Sequence, residues 1–130
     1  MVRAVLTRFF TLLLLLVTIE TGVFAYTYQD LISLSGDPER ISSRDEASLR
    51  ELAASALARR HLTRHHLETL AEALRRRQLV DDEVRTLERL HRQQTTDEAI
   101  ELRLADAYRR AGRLDEASAI YQRFIAEAQQ

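Results

Sequence analysis

By polarity the chain divides into three stretches. Residues 9–28, FFTLLLLLVTIETGVFAYTY, hold one charge, Glu20, in 20 positions. Residues 34–43, LSGDPERISS, contain Gly36, Pro38 and three serines. From Arg44 onward apolar residues recur at helical spacing, as in Leu67, Leu70, Ala71 and Leu74, and again in Leu87 and Leu90. That last stretch has no Pro and one Gly, and no run in it alternates with the period of a strand. The pattern predicts an all-α protein.

Breaks fall at 61–63, 78–82, 93–96 and Gly112. They predict five helices, at about 44–61, 64–77, 81–93, 96–111 and 114–129. Ser43 with Glu46 and Thr95 with Glu98 match the capping box that starts a helix. Gly112 stands where a left-handed residue ends one. The expected organisation is a signal anchor or transmembrane helix over 1–30, a linker over 31–43 and a helical domain over 44–130.

The first stretch is long enough to matter as a whole. As a helix, residues 9–28 span about 30 Å, the hydrocarbon thickness of a bilayer. Each of the leucines Leu12 to Leu16 favours insertion by about 0.3–0.6 kcal/mol, which with the neighbouring apolar residues outweighs an off-centre Glu20. Arg3 and Arg8 precede the run, so an uncleaved anchor leaves the N-terminus cytoplasmic and everything after Tyr28 exported. Glu20 then faces another helix, an intramembrane contact with a partner. The alternative is a signal peptide cleaved after Ala25, at the small-x-small site Val23, Phe24, Ala25. Both readings place the rest of the chain in a periplasm-like space.

Composition narrows the chemistry. With 130 residues the chain is too short for a large enzyme barrel. All 19 basic residues are Arg, against 20 acids, and a net charge of −1 argues against nucleic acid as a partner. Zero Cys excludes disulfides, thiol catalysis and Cys-ligated zinc. The Arg-rich, Lys-free composition fits a GC-rich bacterial genome. No nucleophile elbow, phosphate loop or HExxH occurs. His61 and His65 share a helix face only if the helix is continuous, and the break between them spoils a zinc site with Glu68. The expectation is a non-enzyme with no cofactor and no metal.

The last two helices carry a finer pattern. Leu104, Ala105 and Tyr108, then Gly112 and Leu114, then Ala117 and Tyr121 resemble the tetratricopeptide repeat, whose consensus spaces these types in this order. Small Ala105 and Ala117 allow close helix approach, the two tyrosines fill the space beside them, and Gly112 permits the tight turn. Glu101 departs from the usual Trp, which weakens the inner packing, and Phe124 from a usual small residue. Subtracting the 34-residue period of that family maps Leu104 to Leu70, Ala105 to Ala71, Tyr108 to Leu74, Tyr121 to Leu87 and Phe124 to Leu90, all apolar. Gly112 maps to Gln78 and Ala117 to Glu83, where the pattern fails. The reading is two repeats preceded by one leading helix, with a last helix whose Ile120, Tyr121, Phe124 and Ile125 cover more than one face.

The resemblance implies a groove lined by the first helix of each repeat. Its positions here are His65, Glu68, Thr69, Glu72, Arg75 and Arg76, then Arg103, Asp106, Arg109 and Arg110. The two arginine pairs fall one period apart, and guanidinium forks suit a carboxylate or an acidic peptide. The expected function is a non-enzymatic accessory, assembly or scaffold subunit of a membrane or envelope complex, single-pass in a bacterial inner membrane with a periplasmic domain. Its partners are proteins, and self-association would cover an unfinished solenoid. The alternative is a soluble periplasmic peptide-binding module.

Overall fold

The computed structural model describes residues 11, 34, 36–93 and 96–129. The chain separates into two units, Met1–Ile32 and Ser33–Gln130, and the second is described below. Apart from Thr11, the expected membrane segment 9–28, with Glu20 and the cleavage site at Ala25, lies outside the described residues. Among the described residues no helix is long and apolar enough to cross a membrane.

Among the described residues the second unit shows six helices: α1 Pro38–Ser42, α2 Glu46–Ala58, α3 Arg64–Arg76, α4 Val80–Gln93, α5 Glu98–Arg110 and α6 Leu114–Ala128. The stretch read as a linker thus contains a helix. Asp37 accepts from the Glu39 amide at 3.0 Å, and Pro38 takes the first helical position, where its missing N–H costs nothing. Ile41 is buried, and α1 packs on α3.

The caps also differ from those expected. Asp45, not Ser43, starts α2 by accepting from the Ser48 amide at 3.0 Å. Asp97 starts α5 by accepting from the amides of Ala99 and Ile100, while Thr95 lies outside the described residues. Thr63 starts α3 in a reciprocal box with His66, whose Nδ1 stands where a Glu carboxylate is usual. That cap ends any continuity between His61 and His65. Helix α2 stops at Ala58, short of the predicted 61, because Arg59 turns extended at φ −85° and ψ 141°. Arg89, reaching back from α4, donates to the carbonyls of Ala56 at 3.1 Å and Leu57 at 2.7 Å, and to that of Arg59.

The turns repeat with a spacing of 34 residues. At the α3–α4 turn Gln78 donates to Arg75 at 3.0 Å, Leu79 to Leu74 at 3.0 Å and Glu83 to Leu79 at 3.0 Å. At the α5–α6 turn Gly112 donates to Arg109 at 3.2 Å, Arg113 to Tyr108 at 2.9 Å and Ala117 to Arg113 at 3.2 Å. Gln78 and Gly112 both sit in the left-handed region, at φ 57° and 76°. The pattern reaches further back. Arg44 donates to Ile41 at 3.2 Å and Leu49 to Asp45 at 3.0 Å, each one period before the bonds of the α3–α4 turn. A short helix, α1, precedes α2 and packs on α3.

Leucines hold the unit together. Leu49, Leu67, Leu70, Leu74, Leu87 and Leu90 are fully buried, and each contributes on the order of 1.5–3 kcal/mol. Helices α3 and α4 pair, as do α5 and α6, while α2 packs on α4 and α4 on α5. On α6 the only buried residue is Ala117. Leu114 and Ile125, 62% and 58% exposed, lie on its open sides.

Candidate interaction surface

The expected groove residues lie on α3 and α5. On α3 the Glu72 carboxylate receives Arg75 through two bonds, 3.0 and 2.9 Å, and the Nε of Arg76 at 3.1 Å. One period later Asp106 receives Arg109 at 2.8 Å and the Nε of Arg110 at 2.9 Å. The same three-residue clasp thus forms twice, at helix ends where cations also meet a favourable dipole. Arg75's hydrogen bonds, reinforced by Arg76, hold the Glu72 carboxyl down at about 2 against the opposing effect of burial. Asp106 is lowered in the same way, chiefly by Arg109.

A cleft of about 360 Å³ joins the two repeats, lined by Arg75, Gln78, Val80, Asp106 and Arg110. It brings together three of the expected groove residues. The others lie outside its lining. His65 is exposed, its ring 6.3 Å from that of His66. Glu68 takes Arg64 at 2.7 Å, and Arg76 comes within 4.0 Å of Glu39. Arg103 is half-buried and Thr69 buried.

The repeat-packing residues differ in burial. Leu104, Ala105, Tyr108 and Ala117 are buried and Tyr121 half-buried. Gly112 is needed for its backbone angle alone, because a Cβ there would meet nothing within 4 Å.

Three polar arrangements were not legible from the resemblance. Glu83 is 1% exposed and clasped by Arg110. That clasp is the main reason the Arg110 guanidinium holds its proton more firmly than usual. Glu101, expected to weaken the packing, is buried as an ion pair with Arg123, with His91 Nδ1 3.8 Å from its other oxygen. Glu88 joins the repeats by accepting from Tyr108 at 2.9 Å and Arg113 at 3.0 Å, and the Arg113 guanidinium lies 4.3 Å from the centre of the Tyr108 ring. Burial and the Glu88 bond push the Tyr108 phenol up to about 12. The signal for the first two was the mismatch itself. A carboxylate at a position the period makes apolar needs a buried cation.

Among the described residues no group of three His, Asp or Glu side chains gathers to hold a metal. No family model matches the chain, and neither do any curated protein nor any solved structure.

Proposed function

We propose that the protein is a non-enzymatic accessory, assembly or scaffold subunit of a membrane or envelope complex, acting through a tetratricopeptide-like domain. The observation that carries this reading is the outer side of α6. Leu114 and Ile125 stay more than half exposed there, with Ile120, Tyr121 and Phe124 only half-covered. A helical repeat stabilises itself by stacking, so an apolar last helix invites a partner. The 34-residue register of the turns supports the family resemblance.

In this reading residues 9–28 anchor the chain in a bacterial inner membrane, with the N-terminus cytoplasmic and the helical unit periplasmic. Glu20 contacts a partner helix. The mechanism is tethering: confinement to the membrane surface raises the effective concentration of the domain beside its partner. The groove of α3 and α5 offers arginines to an acidic or C-terminal carboxylate. A second reading, a soluble periplasmic module, rests on the small-x-small site ending at Ala25.

The test is a double substitution, Leu114→Glu with Ile125→Glu, in the full-length chain. Gel filtration of detergent-extracted membranes should move the variant from a large complex to a small species while its helix content is unchanged. A variant that stays in the large complex would remove α6 from the proposal.

A further inference from the structure

The cap of α3 is built on a titratable side chain. In the usual capping box a Glu or Gln three residues after the cap accepts from the cap amide. Here that residue is His66, three after Thr63. The Thr63 amide donates to His66 Nδ1 at 3.4 Å, and the His66 amide donates back to Thr63 Oγ1 at 3.3 Å. The Thr63 hydroxyl lies 3.0 Å from the same Nδ1. An imidazole nitrogen accepts only when it carries no proton, so the box needs a neutral His66 with its hydrogen on Nε2.

A proton on Nδ1 reverses its role. The Thr63 hydroxyl can turn and accept from it. The backbone amide cannot, so donor then faces donor. The new positive charge also sits in the first turn of a helix, the end where the backbone dipole favours anions.

The charged groups around His66 are mostly basic. On α3 itself the His65 ring lies 6.3 Å away, and Arg64 precedes it. The carboxylates at this end, Glu68 and Asp97, are each engaged by Arg64 at 2.7 Å. The connection from α2 supplies Arg59, Arg60 and His61. The end of α4 reaches this point through Gln93, which donates to the Leu62 carbonyl at 3.4 Å, and it brings His91 and Arg92. Helix α1, also packed on α3, meets its far end, where Glu39 lies 4.0 Å from Arg76.

We propose that His66 is a pH-sensitive latch on the start of α3, closed while the imidazole is neutral and opened by its protonation. Burial, reinforced by His65, pushes that imidazole below its ordinary value of 6.5. A group lowered in this way stabilises the fold above its unfolded value, and that support is lost as the pH falls through the folded one. The loosening therefore begins below about pH 6.5, ahead of the more acidic range of the Glu72 clasp. Two ties leave from the latch. Arg64 holds Asp97, which starts α5, and Leu62 holds Gln93 at the end of α4. Opening the first turn of α3 slackens both, whatever the domain binds.

The test is NMR of the full-length chain, labelled with carbon-13 and nitrogen-15, in non-ionic detergent between about pH 8 and pH 5. The His66 ring should titrate with a midpoint below 6.5, and the Thr63 amide should shift with the same midpoint. Across that step the Leu67 amide, which donates to the Thr63 carbonyl at 3.2 Å, should exchange at least about threefold faster after correction for the intrinsic effect of pH. His66→Gln supplies an acceptor that does not titrate, so it should abolish the step. His65→Gln should keep it. A His66 midpoint at or above 6.5, or a Thr63 amide that moves with a different midpoint, would overturn the latch. So would a step that survives in His66→Gln or vanishes in His65→Gln.

Discussion

Arg110 holds Glu83 through both ends of its guanidinium, at 2.7 and 2.9 Å, across 27 positions of sequence. The pair ties the end of α5 to the start of α4, and so one repeat to the next. Glu83 is 1% exposed, so its carboxylate depends on this partner. Arg110→Ala should destabilise the unit by about 3–5 kcal/mol, because it strands a buried charge. Arg110→Met with Glu83→Leu should recover most of that loss. Urea unfolding of the two variants checks both statements. Arg110 is therefore a poor residue for testing groove binding.

Gln78 occupies a left-handed conformation that Gly112 occupies one period later. A side chain at that angle is strained by about 1–2 kcal/mol, part of which glycine returns through its freer unfolded chain. Gln78→Gly should therefore stabilise the unit by about 0.5–1 kcal/mol and raise Tm by a few degrees. Gly112→Ala should do the reverse, although no atom stands in the way of its methyl group. Thermal melts followed by circular dichroism would show both signs.

The clasp on Glu72 predicts an acid-sensitive fold. Its carboxyl is lowered from 4.5 to about 2. A depressed carboxylate contributes stability above its unfolded value and loses it as the pH falls through the folded one. Stability should then decline between roughly pH 5 and pH 2. Glu72→Gln should flatten that decline and lower stability at neutral pH. Denaturant midpoints across the range measure it.

Ala105 is fully buried on α5. Ala105→Leu should cost about 1–3 kcal/mol by overpacking, read as a lower denaturant midpoint at unchanged slope. A neutral result would mean that α5 and α6 are not in close contact at this residue.

Much of the fold could be read from residue types. The leucines at helical spacing located five helices, and the Leu104 to Tyr121 pattern located the last pair and its turn. Where the reading stopped short, backbone geometry did what side-chain identity did not announce. Gln78 keeps the glycine conformation without being glycine, so subtracting the period made the α3–α4 turn look like a failure. Helix α1 was hidden by Gly36 and Pro38, which mark a break but also suit a helix start when Asp37 precedes them. The groove arginines were legible as a periodic pair. Their carboxylate partners were present in the sequence, one turn earlier at Glu72 and Asp106, and show that much of the charge is used internally. Arg89 was not legible at all, because its three carbonyl partners lie about 30 positions away.

The proposed role is that of a subunit bound to other proteins. Native mass spectrometry of the full-length protein, extracted gently from its own membranes, tests that most directly. A subunit of a membrane complex should appear at its full-length mass, bound to other chains. A mass that begins at Tyr26, with no companion, would contradict it and identify a processed, free module.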